Sequence, residues 1–225
     1  DYSYYGALRF SRAFTNWITF VSDEPYKAIL EGLYMDTGDH IIIDGFNVDG
    51  RGEIDGPLFH VRSQSKNIVI RNNIIHDSAD NDVLKINDRS ENIKVIGNVL
   101  YNQLGNDELI DANGIRDSEI RENIFFTDYA DSGRAPGSIN SYIVIKNSQL
   151  QWGTNTIDYS RNILVSDNIF LWGDGSTITG AFIMLGEDGV FPFEATDIYI
   201  RNNLMLGGSN TQIAAAFSVK GVDHV

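Results

Sequence analysis

Short apolar segments, each closed by a polar corner, recur along the chain at a nearly constant spacing. Residues 67–73 read Asn-Ile-Val-Ile-Arg-Asn-Asn, and variants of this segment follow at 92–98 and 117–123. The asparagine that ends each one therefore recurs every 25 residues. A fixed period of this length indicates a solenoid, because each coil can bury its apolar face only against its neighbours.

The same corner can be followed in both directions along the chain. Asn168 and Asn203 continue the series at intervals of 45 and 35 residues, as expected if the later coils carry insertions, and Gly45 lies 28 residues before Asn73. Gly and Asn suit a tight corner because they adopt the left-handed conformation most readily. Stacked asparagine amides can also hydrogen-bond from coil to coil. We therefore predict an all-β fold, a right-handed parallel β-helix of about seven coils with three strands per coil and an asparagine ladder.

Alternation within the third strand of each coil predicts which side chains face outward. In Val83-Leu-Lys-Ile-Asn, Leu84 and Ile86 face the interior, so Lys85 faces solvent. Stacked parallel strands lie about 4.8 Å apart, so equivalent outward residues should form a column. The members of this predicted column are His60, Lys85, Asp111 and Lys146.

An acidic cluster lies beside this column. Asp82 precedes one such strand, and Asp107, Glu108 and Asp111 occupy the turn and strand of the next coil. Calcium prefers six to eight oxygen ligands with several carboxylates among them, so these four residues are a candidate Ca²⁺ site. The alternative is that Asp and Asn populate turns because their side chains bond their own backbone.

Composition narrows the classes of function. The 225 residues suffice for one solenoid domain, 1–225, and the end at residues 220–225 has no obvious cap, so we expect a segment of a longer solenoid. The chain has no cysteine and a formal net charge of −14, which argues against thiolate metal sites and nucleic acid. It contains no apolar run long enough to span a membrane. The acidic net charge suits secretion, so we expect a secreted, extracellular or periplasmic protein.

With an asparagine ladder and a column of acids and lysines, the chain resembles the pectate-lyase-like superfamily of polysaccharide lyases, most closely polysaccharide lyase family nine. That family binds calcium through an aspartate on one coil and an Asp-Asp-x-x-Asp group on the next. The matching positions here are Asp82 and Asp107-Glu108-Leu-Ile-Asp111, with Glu108 in place of an aspartate. The family's base, a lysine one coil later, corresponds to Lys146, and Lys85 is a second candidate base.

The resemblance implies a monomeric lyase that cleaves pectate, alginate or a similar acidic polysaccharide by calcium-assisted β-elimination. Substrate carboxylates can pair with guanidinium groups, and exposed aromatic rings can stack on sugars. The candidate substrate-binding residues are Arg62, His60, Arg89, Arg116 and Trp152. Each also has an ordinary structural interpretation, as a solvated arginine, a packed histidine or a tryptophan that caps its loop.

Two other functions stay open at this point. The first is a non-catalytic β-helix, either a carbohydrate-binding or adhesin module or a tailspike-like stalk, in which Lys85, Asp111 and Lys146 form a structural ion-pair ladder. The second is a glycoside hydrolase on the same scaffold, with Asp107 and Asp111 as the carboxylate pair that such enzymes need. Fold alone does not choose among these functions.

Overall fold

The computed structural model describes residues 3–54, 56–79, 81–103, 105, 107–128, 138–149, 157–172, 177–178, 181–187, 193–207 and 215–225. Every regular element within these ranges is a β-strand. None of the described residues form a helix with the length and apolar character needed to cross a membrane.

The strands are short and follow one another closely along the chain. Those before residue 104 are β1 Ser3–Tyr5, β2 Leu8–Phe10, β3 Ala13–Val21, β4 Ala28–Leu30, β5 Leu33–Asp36, β6 Asp39–Asp44, β7 Asn47–Asp49, β8 Phe59–Arg62, β9 Lys66–Arg71, β10 Ile74–Ser78, β11 Leu84–Ile86, β12 Glu91–Ile96 and β13 Val99–Gln103. Those that follow are β14 Glu108–Asn113, β15 Arg116–Arg121, β16 Ile124–Phe126, β17 Ser138–Ile139, β18 Ser141–Lys146, β19 Ser148–Gln149, β20 Ile157–Asp158, β21 Ser160–Ser166, β22 Ile169–Leu171, β23 Thr177–Ile178, β24 Ala181–Leu185, β25 Ala195–Arg201, β26 Leu204–Leu206, β27 Ala215–Val219 and β28 Val222–Asp223.

Three parallel sheets run along the whole molecule. Sheet A has the order β1-β4-β7-β10-β13-β16-β22-β26, sheet B has β2-β5-β8-β11-β14-β18-β24-β27, and sheet C has β3-β6-β9-β12-β15-β21-β25-β28. Each coil contributes one strand to each sheet, which confirms the predicted right-handed parallel β-helix. The insertions add two small pairs at the side, β17 with β23 and β19 with β20.

The core is a stack of apolar side chains from the inward positions of all three sheets. On sheet C the buried isoleucines and valines are in register from coil to coil, as in Ile43↔Ile70 and Val95↔Ile70. A side chain of this size stabilises the fold by roughly 1.5–3 kcal/mol when it is fully buried. Because each layer packs on the next, this register fixes the outward positions as well.

The corner between sheets C and A holds the predicted asparagine ladder. Asn98 Nδ2 donates to Asn123 Oδ1 at 3.1 Å and to the carbonyl of Ile70 at 2.9 Å, while the backbone N–H of Asn98 also donates to Asn123 Oδ1. The same backbone and side-chain amide bonds to the next Oδ1 link all members of the ladder, which are Asn73, Asn98, Asn123, Asn168 and Asn203. The corners of Asn73, Asn98, Asn123 and Asn168 are therefore each satisfied by the asparagine amide of the next coil.

Our placement of Gly45 in this ladder was wrong. Asp44 pairs with Arg71, so Gly45 aligns with Asn72, the residue before the ladder asparagine Asn73. The residue that aligns with Asn73 is Phe46, whose N–H donates to Asn73 Oδ1. The left-handed residues at this corner are Gly45, Asn72, Gly97, Glu122, Asp167 and Asn202. The ladder asparagines are thus selected for their amide bonds, and the residue before each one makes the bend.

Candidate functional site

The outward face of sheet B brings most of the predicted site residues together. Lys85 pairs with His60 on one side and with Asp111 on the other, as predicted. Lys146 is two residues away from the predicted column, because Val144 pairs with Asp111 and Lys146 pairs with Asn113. Alternation has a period of two residues, so a slip of two residues keeps a side chain on the same face and could not be detected from the pattern.

Three acids converge at the start of the sheet B strands. Asp82 lies in the turn before β11, and one coil later Asp107 directly precedes β14 and Glu108 is its first residue. Ligand oxygens of the three side chains are within 4.8 Å of one another. Burial, followed by the neighbouring Asp111, raises the pKa of Asp82 to about 6 and that of Glu108 to about 9. The pKa of Asp107 is also raised, mainly by burial.

Asp111 faces the same cluster from within β14. Its Oδ2 accepts from Lys85 Nζ at 2.5 Å and from Asn113 Nδ2 at 2.9 Å. Its Oδ1 is buried and has no hydrogen-bond partner among the described residues, although Lys146 Nζ lies 3.9 Å away. Lys85 Nζ also donates to Asp82 Oδ2 at 2.8 Å. The ammonium of Lys85 therefore bridges carboxylates from two adjacent coils.

Lys146 belongs to a network that includes two residues missed by the sequence analysis. Its ammonium pairs with Glu187, which follows β24. Asn140 Nδ2 donates to Glu108 Oε1 at 2.6 Å and to Glu187 Oε1 at 3.1 Å. Asn140 could have been found, since it precedes β18 as Asp107 precedes β14. Glu187 lies in an insertion, where the repeat carries no information.

Both lysines are held in the charged state by their neighbours. Burial alone would lower the pKa of Lys85, but Asp111 and Asp82 outweigh it and raise the pKa above its ordinary value. Burial acts in the same direction on Lys146, and Asp111 and Glu187 again raise the pKa overall. Without a further positive charge at the site, both side chains are ammonium ions at neutral pH.

The donor set fits a hard divalent cation. All the convergent ligand atoms are carboxylate oxygens, and the buried Oδ1 of Asp111 offers one more oxygen that no hydrogen bond uses. Calcium takes such ligands in flexible geometry, whereas magnesium demands a near-ideal octahedron. The converging oxygens belong to Asp82, Asp107 and Glu108, while Asp111, the fourth predicted ligand, lies outside that group. A Ca²⁺ site made by these four residues stays a prediction.

The candidate substrate-binding arginines have carboxylate partners within the protein. Arg62 pairs with Asp36, and the pKa of Asp36 is lowered chiefly by this hydrogen bond. Arg89 Nε donates to Asp158 at 2.9 Å, and Arg116 Nη2 donates to both oxygens of the same carboxylate. Asp158 lies on β20, so the two arginines attach the inserted β19–β20 pair to the solenoid.

The remaining predicted contacts are one histidine and one tryptophan. His60 lies on sheet B and is buried, and its Nε2 lies 3.2 Å from Asn87 Oδ1. Burial lowers the pKa of its imidazole. A neutral His60 at pH 7 fits a packed residue that supports the face. Trp152 lies outside the described residues.

On sheet A a second group of side chains also brings its ligand atoms within 4.8 Å of one another. It consists of Asp49, His76 and Asp77. His76 Nδ1 lies 2.6 Å from Asp77 Oδ2, its Nε2 lies 2.9 Å from Asn47 Oδ1, and its ring stacks on Tyr101 at 4.6 Å. Both ring nitrogens of His76 therefore have partners within the protein.

The fold and the site together define a class: a right-handed parallel β-helix with buried carboxylates and two lysines on the outward face of one sheet. Comparison with known proteins adds nothing more specific. No protein-family model matches the chain, and no curated protein sequence matches it significantly. Any function must therefore be argued from the geometry of the site.

Proposed function

We propose that this protein is a polysaccharide lyase that cleaves a uronic-acid-containing polysaccharide by calcium-assisted β-elimination. One observation carries the proposal: carboxylate oxygens of Asp82, Asp107 and Glu108 converge within 4.8 Å, and beside them Asp111 Oδ1, which has no hydrogen-bond partner among the described residues, lies 3.9 Å from Lys146 Nζ. Because the ligand class is a large acidic polymer, we further propose a secreted or periplasmic monomer.

The reaction removes the C5 proton of a uronate that already carries a negative charge. A bound Ca²⁺ would neutralise the carboxylate of the sugar and offset the acids that favour the ammonium form of Lys146. The side chains of Asp82, Asp107, Glu108 and Asp111 would hold the cation. Burial of these acids keeps water from competing for the same oxygens.

Lys146 is the better of the two candidate bases. Lys85 donates to two carboxylates at 2.8 and 2.5 Å, whereas Lys146 pairs with Glu187 and only approaches Asp111. In the neutral form, Lys146 Nζ takes the proton from C5. The C5–H electron pair forms the C4=C5 double bond, and the C4–O bond breaks. The leaving oxygen keeps the electron pair of the broken C4–O bond and takes a proton from water.

The test is release of unsaturated product from polygalacturonate and alginate, followed by ultraviolet absorbance. The Lys146→Ala variant should lose about 10²–10⁴-fold in kcat, the usual contribution of a general base. Chelator should abolish activity in the wild type, and added Ca²⁺ should restore it. Lys66→Ala is the matched control, since Lys66 is an exposed lysine on sheet C, and it should keep full activity.

Activity that survives both chelator and Lys146→Ala would overturn the proposal. Loss of activity in Lys85→Ala alone would transfer the role of base to Lys85. The second candidate function is a non-catalytic module that binds acidic polysaccharides. The ion pairs of Lys85 with Asp82 and Asp111 favour it, because such a ladder needs no chemistry. Binding of a polymer without any product would select that alternative.

A further inference from the structure

An arginine outside the predicted site lies on the same outward column of sheet B. Arg9 on β2 pairs with Tyr34 on β5, Tyr34 pairs with His60, and His60 pairs with Lys85. At about 4.8 Å per coil, Arg9 is about 14 Å from Lys85 along the solenoid axis. The column therefore connects Arg9 to the carboxylate cluster across three coils.

Arg9 has no carboxylate partner among the described residues. Its guanidinium carbon lies 4.3 Å from the centroid of the Tyr34 ring, and the residue is exposed. By contrast, Arg62 on sheet B, Arg89 in the turn before β12 and Arg116 on β15 of sheet C are all paired with aspartates. In a chain with a net charge of −14, an unpaired guanidinium held on an aromatic ring is available for an external anion.

The Tyr34 ring holds Arg9 in a defined place. The backbone of Gly32 lies directly beside this ring, because a Cβ at Gly32 would come within 3.2 Å of Tyr34 Cε2. The ring is thus packed along the sheet, and one of its faces carries the guanidinium. An arginine positioned in this way loses little freedom when it binds a carboxylate.

Among the described residues of this column, Arg9 is an exposed side chain on one side of the cluster, although His60 between them is only 9% exposed. Beyond Asp111 the outward positions are Val144 and Met184, which are 0% and 7% exposed although they face away from the core. Towards the first coils, the outward positions include the exposed Arg9 and Arg62. We expect a polymer that reaches the cluster along this column to extend past His60 and Tyr34 towards Arg9.

We propose that Arg9, stacked on Tyr34, is a distal subsite that binds a carboxylate of the acidic polysaccharide. The ligand class rests on the proposed function, but the subsite does not require catalysis. Because three coils separate Arg9 from Lys85, an oligosaccharide must be long to contact both. Arg9 thus makes affinity depend on chain length.

The test compares a disaccharide and a hexasaccharide of galacturonate and of mannuronate. Their affinities for Lys146→Ala protein are titrated calorimetrically with Ca²⁺ present, so that no turnover occurs. Adding Arg9→Ala should weaken hexasaccharide binding about tenfold, the loss of one charge-assisted contact, and change disaccharide binding by less than about twofold. Arg12→Ala is the matched control, since Arg12 lies over Phe14 beyond the end of β2. It should leave both affinities within about twofold.

Equal effects of Arg9→Ala and Arg12→Ala, or equal effects on both ligand lengths, would overturn the subsite. A protein that binds neither hexasaccharide would overturn it as well. Failure of the proposed lyase activity gives a different result. If wild-type protein forms no unsaturated product but shows hexasaccharide binding that depends on Arg9, the subsite stands on a non-catalytic binder.

Discussion

Glu108 carries a carboxyl group that the fold removes from water and places beside other acids. Burial and the charges of Asp111 and Asp82 raise its pKa from 4.5 to about 9, while Asn140 supplies a hydrogen bond. At neutral pH and without a cation, this side chain is therefore a neutral acid. A divalent cation reverses the balance, because it stabilises the ionised form.

We predict that Glu108→Gln stabilises the protein in chelator at alkaline pH. An acid with a raised folded-state pKa binds more protons when folded than when unfolded, so stability falls as pH rises from 4.5 towards 9. Glutamine cannot ionise, so the variant should be about 1–3 kcal/mol more stable than wild type near pH 8 and similar near pH 5. Urea unfolding at both pH values measures the difference.

Glu91→Gln is the control for this prediction, because Glu91 is a well-exposed carboxylate of sheet C. Its free energy of unfolding should stay within about 0.5 kcal/mol of wild type at both pH values. If wild type and Glu108→Gln show the same pH dependence, Glu108 ionises normally in the folded protein.

The sequence predicted which acids lie together at the candidate site, but it did not predict the register of Lys146. The acids Asp82, Asp107 and Glu108 could be grouped because the 25-residue period aligns their turns. Lys146 was assigned to the wrong column because alternation specifies a face and leaves a shift of two residues undetermined. Glu187 was missed because it lies in an insertion, and a period predicts nothing about the residues that interrupt it.

At the scale of the secondary-structure element, the corner between sheets C and A assigns two roles to two consecutive residues. The first residue makes the left-handed bend, and the second makes the ladder hydrogen bonds. Asn72 and Asn73 are both asparagines, so this coil alone does not show which one bends and which one bonds. Asn72 has a φ of 53°, while Asn73 belongs to the ladder. In the fifth coil the same roles fall to Glu122 and Asn123.

We predict that Asn123→Ala destabilises the protein by about 2–4 kcal/mol. Asn123 Oδ1 accepts from the backbone and side-chain amides of Asn98, and its Nδ2 donates to the carbonyl of Val95 and to Asn168 Oδ1. Alanine leaves several buried groups without partners, and each costs about 1–3 kcal/mol before relaxation. Chemical denaturation of the purified variant measures the loss.

The neighbouring Glu122→Asn is the matched control at the same corner. Glu122 is exposed and has a φ of 59°, which asparagine tolerates better than glutamate. This variant should therefore be neutral or slightly more stable than wild type. If both variants are equally destabilised, the corner as a whole, and not the ladder amide, carries the stability.

At the scale of the whole molecule, the acids of the candidate site come from two adjacent coils and the lysines from two different strands. Asp82 precedes β11, whereas Asp107 precedes β14 and Glu108 is the first residue of β14. Coils of a solenoid contact only their neighbours, so a ligand shared by two coils adds directly to the interface between them. In a chain with a net charge of −14, the same ligand also reduces repulsion between coils.

We predict that Ca²⁺ stabilises the protein against heat. A cation at one hundred times its Kd adds about 2.7 kcal/mol, which raises Tm by about 5–10 °C in a chain of this length. Calorimetry in chelator and in excess Ca²⁺, at matched ionic strength, measures the shift. Asp82→Asn removes one carboxylate of the sheet B cluster and should lose most of it. Asp49→Asn removes one carboxylate of the sheet A group and should keep the Tm shift. A shift that is lost in Asp49→Asn and kept in Asp82→Asn would place the cation at sheet A and contradict the prediction.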